Sequence, residues 1–235
     1  MESENTNLLR ERVCRANQDI AARGLVVAAF GNVSGIDRES GLVAIKPSGV
    51  AYDVLTPQKM VLVDLEARVV AGDLKPSSDT KTHVALYRAF SDIGGVVHTH
   101  SKYATAWAQA RKLLPCYGTT HADYFHGEVP CTTVISDRQI AADYEEQTAT
   151  QIVETFRTRD YHSVPGVLVC SHGPFTWGQT PEDAVFHSYA LEYIAEMALL
   201  SLSLVPHLSP IKDTLLDKHY LRKHGEAAYY GQRNE

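Results

Sequence analysis

A chain of 235 residues, 44% hydrophobic and 21% charged, is long enough to bury one sizeable core and has the composition of an ordinary globular α/β protein. Its formal net charge of −6 argues against a nucleic-acid or membrane-surface partner, so an anionic ligand would need a local positive pocket. No stretch approaches the roughly 18 apolar residues of a membrane span, and the acidic start Met1-Glu2-Ser3-Glu4 is unlike a secretory signal, which reads as a cytoplasmic protein.

Residues 7–22 carry Leu8, Leu9, Val13, Ala16 and Ile20 at helical intervals, and Gly24 is a natural stop. An apolar strand over 25–30 follows, then a turn-rich segment, Gly31-Asn32-Val33-Ser34-Gly35, leading into a strand at 42–45. Thr56-Pro57 starts a short helix, with strands near 61–63 and 68–70 behind it. Helical patterns cover 80–90 and 103–110, a long helix is expected over 137–157, and another over 181–204 with Thr180 as cap and Pro181 in its first turn. That last helix is apolar on most faces, which suits burial against another subunit. The tail over 211–231 reads as a helical segment ended at Gly225. No repeat or low-complexity linker interrupts the chain, so residues 1–235 read as a single three-layer α/β/α domain around a central sheet.

The chemistry concentrates at His98-Thr99-His100. This pair follows the apolar run Gly94-Gly95-Val96-Val97, and residues two apart at a strand end share a face, so two imidazoles can chelate one divalent cation. His172 also sits where an apolar run, 165–169, empties into a loop, and Asp79 offers a carboxylate at a helix start. Three imidazoles and one carboxylate suit Zn²⁺ best, with Mn²⁺ or Co²⁺ as alternatives. The four cysteines, Cys14, Cys116, Cys131 and Cys170, are scattered and read as free, largely buried thiols.

Several motifs together resemble the class II aldolase/epimerase superfamily, and within it the sugar-phosphate 4-epimerases. They are Gly31-Asn32-Val33-Ser34, Lys46-Pro47-Ser48-Gly49, Lys75-Pro76-Ser77-Ser78-Asp79-Thr80, His98-Thr99-His100-Ser101, Gly118-Thr119-Thr120-His121-Ala122-Asp123-Tyr124 and Ser171-His172-Gly173-Pro174. The resemblance covers nearly the whole chain, including 215–225 near its end.

The resemblance implies a metal-dependent isomerase that interconverts L-ribulose 5-phosphate and D-xylulose 5-phosphate by retro-aldol cleavage and re-formation of C3–C4. It implies that Asp79, His98, His100 and His172 hold Zn²⁺, and that Asn32, Lys46, Ser48, Gly49, Ser77 and Ser78 bind the substrate and its phosphate. Asp123 and Tyr230 match the family's acid/base pair, with the tyrosine reaching a neighbouring subunit's site, and His219 and Arg222 stand as support residues at that boundary. A homotetramer with sites at subunit interfaces follows from the same resemblance, with the tail from about 209 to 235 serving a neighbour.

From pattern alone plainer readings stand beside these. Lys46 reads as a solvated charge, Ser77-Ser78 as a helix cap, Asp123 as a loop cap, Tyr230 as a terminal aromatic, and His219 with Arg222 as a solvated face. Two other functions compete: an aldolase of the superfamily that releases both fragments, and a non-catalytic scaffold like the adducin head domain. In the aldolases a glutamate matches position 79, where this chain has the shorter Asp79, and the scaffold would be expected to have lost the metal histidines that are present here.

Overall fold

The computed structural model of the chain describes residues 4–229. Helix α1 (Glu4–Ala22) buries Leu9, Val13, Ala16 and Ile20 along one stripe, as the periodicity predicts. It ends at Gly24, whose φ of +70° only glycine adopts at little cost. Residues 25–30 form a loop and not a strand. Leu25 is buried, but Val27 and Phe30 are each 64% exposed, and positive φ at Ala28 and Gly31 prevents an extended run.

The glycine-rich segment expected to turn is itself strand β1 (Asn32–Asp37). Asn17, buried in α1, clamps it: the Val33 N–H donates to Asn17 Oδ1 at 2.9 Å, and Asn17 Nδ2 donates to the Val33 carbonyl at 3.0 Å. Strands β2 (Leu42–Ile45), β3 (Val61–Val63) and β4 (Val69–Ala71) lie near their expected positions, with a short 3₁₀ turn at Pro57–Lys59. So do helix α2 (Thr80–Ala89), strand β5 (Gly95–His98) and helix α3 (Lys102–Gln109). A short helix α4 (Thr119–Ala122) follows.

The single long helix expected over 137–157 is two, α5 (Asp137–Ala142) and α6 (Tyr144–Thr155). Asp143 breaks it with φ −134° and ψ 95°, and its side chain accepts from the Glu146 N–H, capping the second helix. Strands β6 (Gly166–Leu168) and β7 (Pro174–Gly178) form a hairpin, and α7 (Pro181–Leu204) and α8 (Asp213–His224) complete the chain.

Among the described residues seven strands make one sheet in the order β4-β3-β2-β1-β5-β7-β6, with every neighbouring pair antiparallel. Alternate residues feed two cores. Val33, Ala44, Leu62 and Val97 pack with α1 and the start of α7, whereas Val43, Ile45, Val63 and Val96 pack with α2 and α6. The result is helix, sheet, helix, as expected.

The first turn of α7 lies directly on β5. A Cβ placed on Gly95 would meet the Pro181 backbone at 2.4 Å, inside any real contact, so α7 can approach only a glycine here. Gly95→Ala should therefore displace α7 or β5 and destabilise the fold by about 1–3 kcal/mol, the usual cost of overpacking a core. Urea unfolding of the two proteins measures this, and an unchanged midpoint would show that the contact yields freely.

Candidate active site

Register places the site. In the β1–β5 ladder Asn32 is directly opposite His98, so their side chains emerge together at one end of the sheet. His100 follows two residues on. His172 arrives from the tight β6–β7 turn, where Ser171 has φ +60° and the Val169 N–H donates to the Gly173 carbonyl at 2.9 Å. Ligand atoms of His98, His100 and His172 all lie within 4.8 Å of one another.

Hydrogen bonding prepares these rings for a cation. His98 Nδ1 lies 2.9 Å from the Pro174 carbonyl, which can only accept, so Nδ1 carries a proton and the lone pair of the neutral ring is on Nε2. That lone pair faces His100 Nε2 at 3.1 Å. His172 Nδ1 lies 3.2 Å from the Tyr144 hydroxyl. Burial, reinforced by His98 and His100, pushes the His172 pKa down to about 3, and burial also lowers that of His100. Neutral imidazoles are what a divalent cation binds, so the donor set fits one.

Asp79 sits at the N-terminus of α2, as expected, but does not cap it by side chain. Its Oδ2 accepts from Asn32 Nδ2 at 2.6 Å, and Asn32 Nδ2 also donates to Ser77 Oγ at 3.0 Å. An ionised carboxylate only accepts, so the amide nitrogen is fixed on this side. Burial opposes ionisation of Asp79, but the neighbouring imidazoles and the Asn32 amide outweigh it and hold the pKa below the ordinary value. Asp79 lies in the same cleft as the three imidazoles without belonging to their close group.

That cleft, of about 400 Å³, is lined by all ten residues expected to bind metal, substrate or phosphate: Asn32, Lys46, Ser48, Gly49, Ser77, Ser78, Asp79, His98, His100 and His172. Lys46 is not a solvated charge. It is 2% exposed, with Nζ 3.3 Å from the Ala29 carbonyl, 3.4 Å from the Pro47 carbonyl and 4.8 Å from the centre of the Tyr52 ring. Burial lowers its pKa. The two arms carrying these residues are tied together, because the Ser48 N–H donates to the Lys75 carbonyl and the Ser77 N–H to the Lys46 carbonyl. Phe30, Tyr144 and Glu145 also line the cleft and escaped sequence reasoning. Tyr144 was hidden inside what read as a continuous helix, and Phe30 inside an expected strand.

Asp123, His219 and Arg222 gather elsewhere. Asp123 ends α4, and its carboxylate accepts from His219 Nδ1 at 3.0 Å and from Arg222 Nη2 at 3.0 Å, with Lys223 Nζ at 3.5 Å. The face of α8 that read as solvated is thus engaged with Asp123, and Asp123 is more than a loop cap. None of the three lines the cleft. Tyr230 lies outside the described residues. The cysteines are free, and all but Cys131 are buried.

The family model for the class II aldolase and adducin N-terminal domain matches residues 11–199. The chain belongs to the class II aldolase family. It is 50% identical over 225 residues to the L-ribulose-5-phosphate 4-epimerase UlaF of Salmonella paratyphi C (strain RKS4594), covering 96% of this chain and 99% of that relative. The namesake of Salmonella typhi is equally similar, at 50% identity over 225 residues, with the same coverage. Among solved structures, an L-fuculose 1-phosphate aldolase superposes with a TM-score of 0.77 at 23% identity, covering 93% of this chain and 96% of that one. The L-fuculose 1-phosphate aldolase from Glaciozyma antarctica PI12 superposes with a TM-score of 0.76 at 19% identity, covering 95% and 84%. These last two speak to the fold.

The surroundings of Asp123 predict a pH-dependent seating of α8. Burial alone would raise the Asp123 pKa, and hydrogen bonds from His219 and Arg222, with the charge of Lys223, bring it below the ordinary 3.8. A lowered native pKa stabilises the docked helix fully above that ordinary value, and the contribution is lost as pH falls through the native one. Asp123→Asn should therefore speed amide hydrogen exchange across α8 at neutral pH while leaving β1 and β5 protected. Unchanged exchange in α8 would show that the cluster does not hold it.

Proposed function

We propose that this protein is an L-ribulose-5-phosphate 4-epimerase. The observation that carries the reading is one cleft joining three clustered imidazoles to a buried lysine that, among the described residues, has no hydrogen-bonded carboxylate of its own. The half-identical relatives bearing that name add to it. A sugar phosphate presents both things the cleft is built to receive, an oxygen-rich ketose end and a dianion.

His98, His100 and His172, with Asp79 beside them, would hold a divalent cation, Zn²⁺ by ligand type. When bound, it supplies Lewis-acid stabilisation of negative charge developing on substrate oxygen, typically several kcal/mol. The chain's own residues do the rest. Lys46 offers a desolvated ammonium to the phosphate, and Ser48, Gly49, Ser77 and Ser78 offer hydroxyl and main-chain donors. The phosphate anchor retains glycolaldehyde phosphate after C3–C4 breaks, so that the aldehyde turns over and the dihydroxyacetone enediolate attacks its other face.

One group removes the C4 hydroxyl proton and another returns a proton from the opposite side; in this reading they are Asp123 and Tyr230. Because Asp123 lies outside its own chain's cleft beside α8, the pair is assigned to the cleft of a second copy. His219 and Arg222 then hold the Asp123 carboxylate in place. Exposed Tyr193, Met197 and Leu200 on α7 are consistent with packing between copies in the homotetramer this reading includes. The reading also takes residues 1–235 as one domain, with the tail from about 209 serving a neighbour. It places the enzyme in the cytoplasm; among the described residues no helix is long and apolar enough to cross a membrane.

Incubation with L-ribulose 5-phosphate, with and without chelator, tests the function. The expected product is D-xylulose 5-phosphate with little free glycolaldehyde phosphate, and chelation should abolish it. Mostly free aldehyde would mean an aldolase, and no turnover in metal-replete protein would sink the proposal.

Lys46→Met should raise KM for the sugar phosphate by about 10- to 100-fold or more, since a charged hydrogen bond to phosphate is worth about 1.5–3 kcal/mol. An unchanged KM would remove Lys46 from the phosphate site.

A further inference from the structure

The three imidazoles are not oriented alike. His98 is held by a main-chain acceptor, the Pro174 carbonyl, which no substitution removes. His172 projects from a turn outside the strand ladder, and its Nδ1 meets a side chain, the Tyr144 hydroxyl, at 3.2 Å. A ring with Nδ1 turned to Tyr144 has Nε2 left for the cluster.

Tyr144 occupies that place because the helix is broken. Asp143 leaves helical geometry, and Tyr144 becomes the first residue of α6, at the wall of the cleft. Two contacts from α2 clamp this first turn: Lys81 pairs with Asp143, and Thr82 Oγ1 donates to the Glu145 carbonyl at 2.7 Å. Inside α6, Thr148 Oγ1 donates to the Tyr144 carbonyl at 2.8 Å. Helix α2 also begins at Asp79. Asp79 and the group that holds His172 are thus mounted on one packed helix pair.

We propose that Tyr144 is a positioning residue for the cation site, accepting the Nδ1–H of His172 and so fixing both the tautomer and the direction of its Nε2 lone pair. The proposal rests on the reading that His98, His100 and His172 hold a divalent cation. A hydroxyl that accepts this proton keeps its own O–H to donate elsewhere, so the contact consumes only one of its capacities. Loss of such an outer partner typically weakens metal affinity by about 10–100-fold without removing a ligand.

Two measurements on the full chain test this. In metal-free wild-type protein, a long-range ¹H–¹⁵N spectrum of the histidine rings should show His172 protonated at Nδ1, and Tyr144→Phe should shift it toward the Nε2–H form. Zinc affinity, read by competition with a chromophoric chelator, should fall about 10–100-fold in Tyr144→Phe with the far-ultraviolet circular dichroism unchanged. The phenylalanine keeps the ring and loses only the hydroxyl, so a purely packing role for Tyr144 would move neither readout. Wild-type His172 in the Nε2–H form, or unchanged zinc affinity in folded Tyr144→Phe, overturns the positioning role and leaves the cation site standing. Wild-type protein that takes up no zinc overturns both.

Discussion

The antiparallel pairing of β1 with β5 is the constraint on which the cleft depends. It sets Asn32 opposite His98, and through the two hydrogen bonds of the Asn32 amide it reaches Ser77 and Asp79, 45 and 47 residues further along. A slip of one residue would turn Asn32 to the opposite face and break the link between the imidazoles and the start of α2. The register is held from both sides. Asn17 clamps Val33 from α1, and the first turn of α7 presses on Gly95, where only a glycine leaves room.

Burial and charge then set the chemical character of the cleft. The protein as a whole carries −6, yet its cleft holds a buried lysine whose ammonium meets carbonyls and an aromatic face, in the same cleft as His100 and His172, whose neutral forms are favoured by desolvation. Such a lysine is poorly solvated and gains by meeting an anion, and the imidazole lone pairs gain by meeting a cation. Both demands arise in one cleft, which is why the proposed sugar phosphate, with a phosphate at one end and oxygens at the other, would answer both. Asp79 adds a carboxylate to the same cleft, where burial opposes its ionisation and the hydrogen bond from the Asn32 amide favours it.

The cluster of Asp123, His219 and Arg222 follows a different logic. Two elements distant in sequence, the end of α4 and one face of α8, meet there around one carboxylate, away from the cleft of the same chain. Hydrogen bonds from His219 and Arg222 and the charges of Lys223 and Arg222 favour the ionised Asp123 carboxylate and fix the direction of its oxygens. Spacing on α8 showed that His219 and Arg222 share a face; what that face meets is a long-range contact that no local pattern encodes.

Much of the chemistry was legible because it is written in short motifs at element ends. His98 and His100 two apart after an apolar run, His172 before Gly-Pro and the paired serines before Asp79 all depend on local geometry, and the cleft contains them all. The misreadings came where local preference yielded to packing. Val27 and Phe30 are apolar yet exposed, because the backbone turns through positive φ at Ala28 and Gly31. Residues 32–35 look like part of a turn but lie in the central strand, because β2, β5 and Asn17 together satisfy their main-chain groups. Asp143 is unremarkable in a helical pattern, and only its pairing with Lys81 and the packing of α6 on α2 make it a break that brings Tyr144 to His172. The sequence by itself determined which residue types stand at strand and helix ends, and hence the donor set. Tertiary structure decided which of them share a cleft, how deeply Lys46 is buried and which ring is held by which partner, because burial and hydrogen-bond direction exist only once distant segments pack.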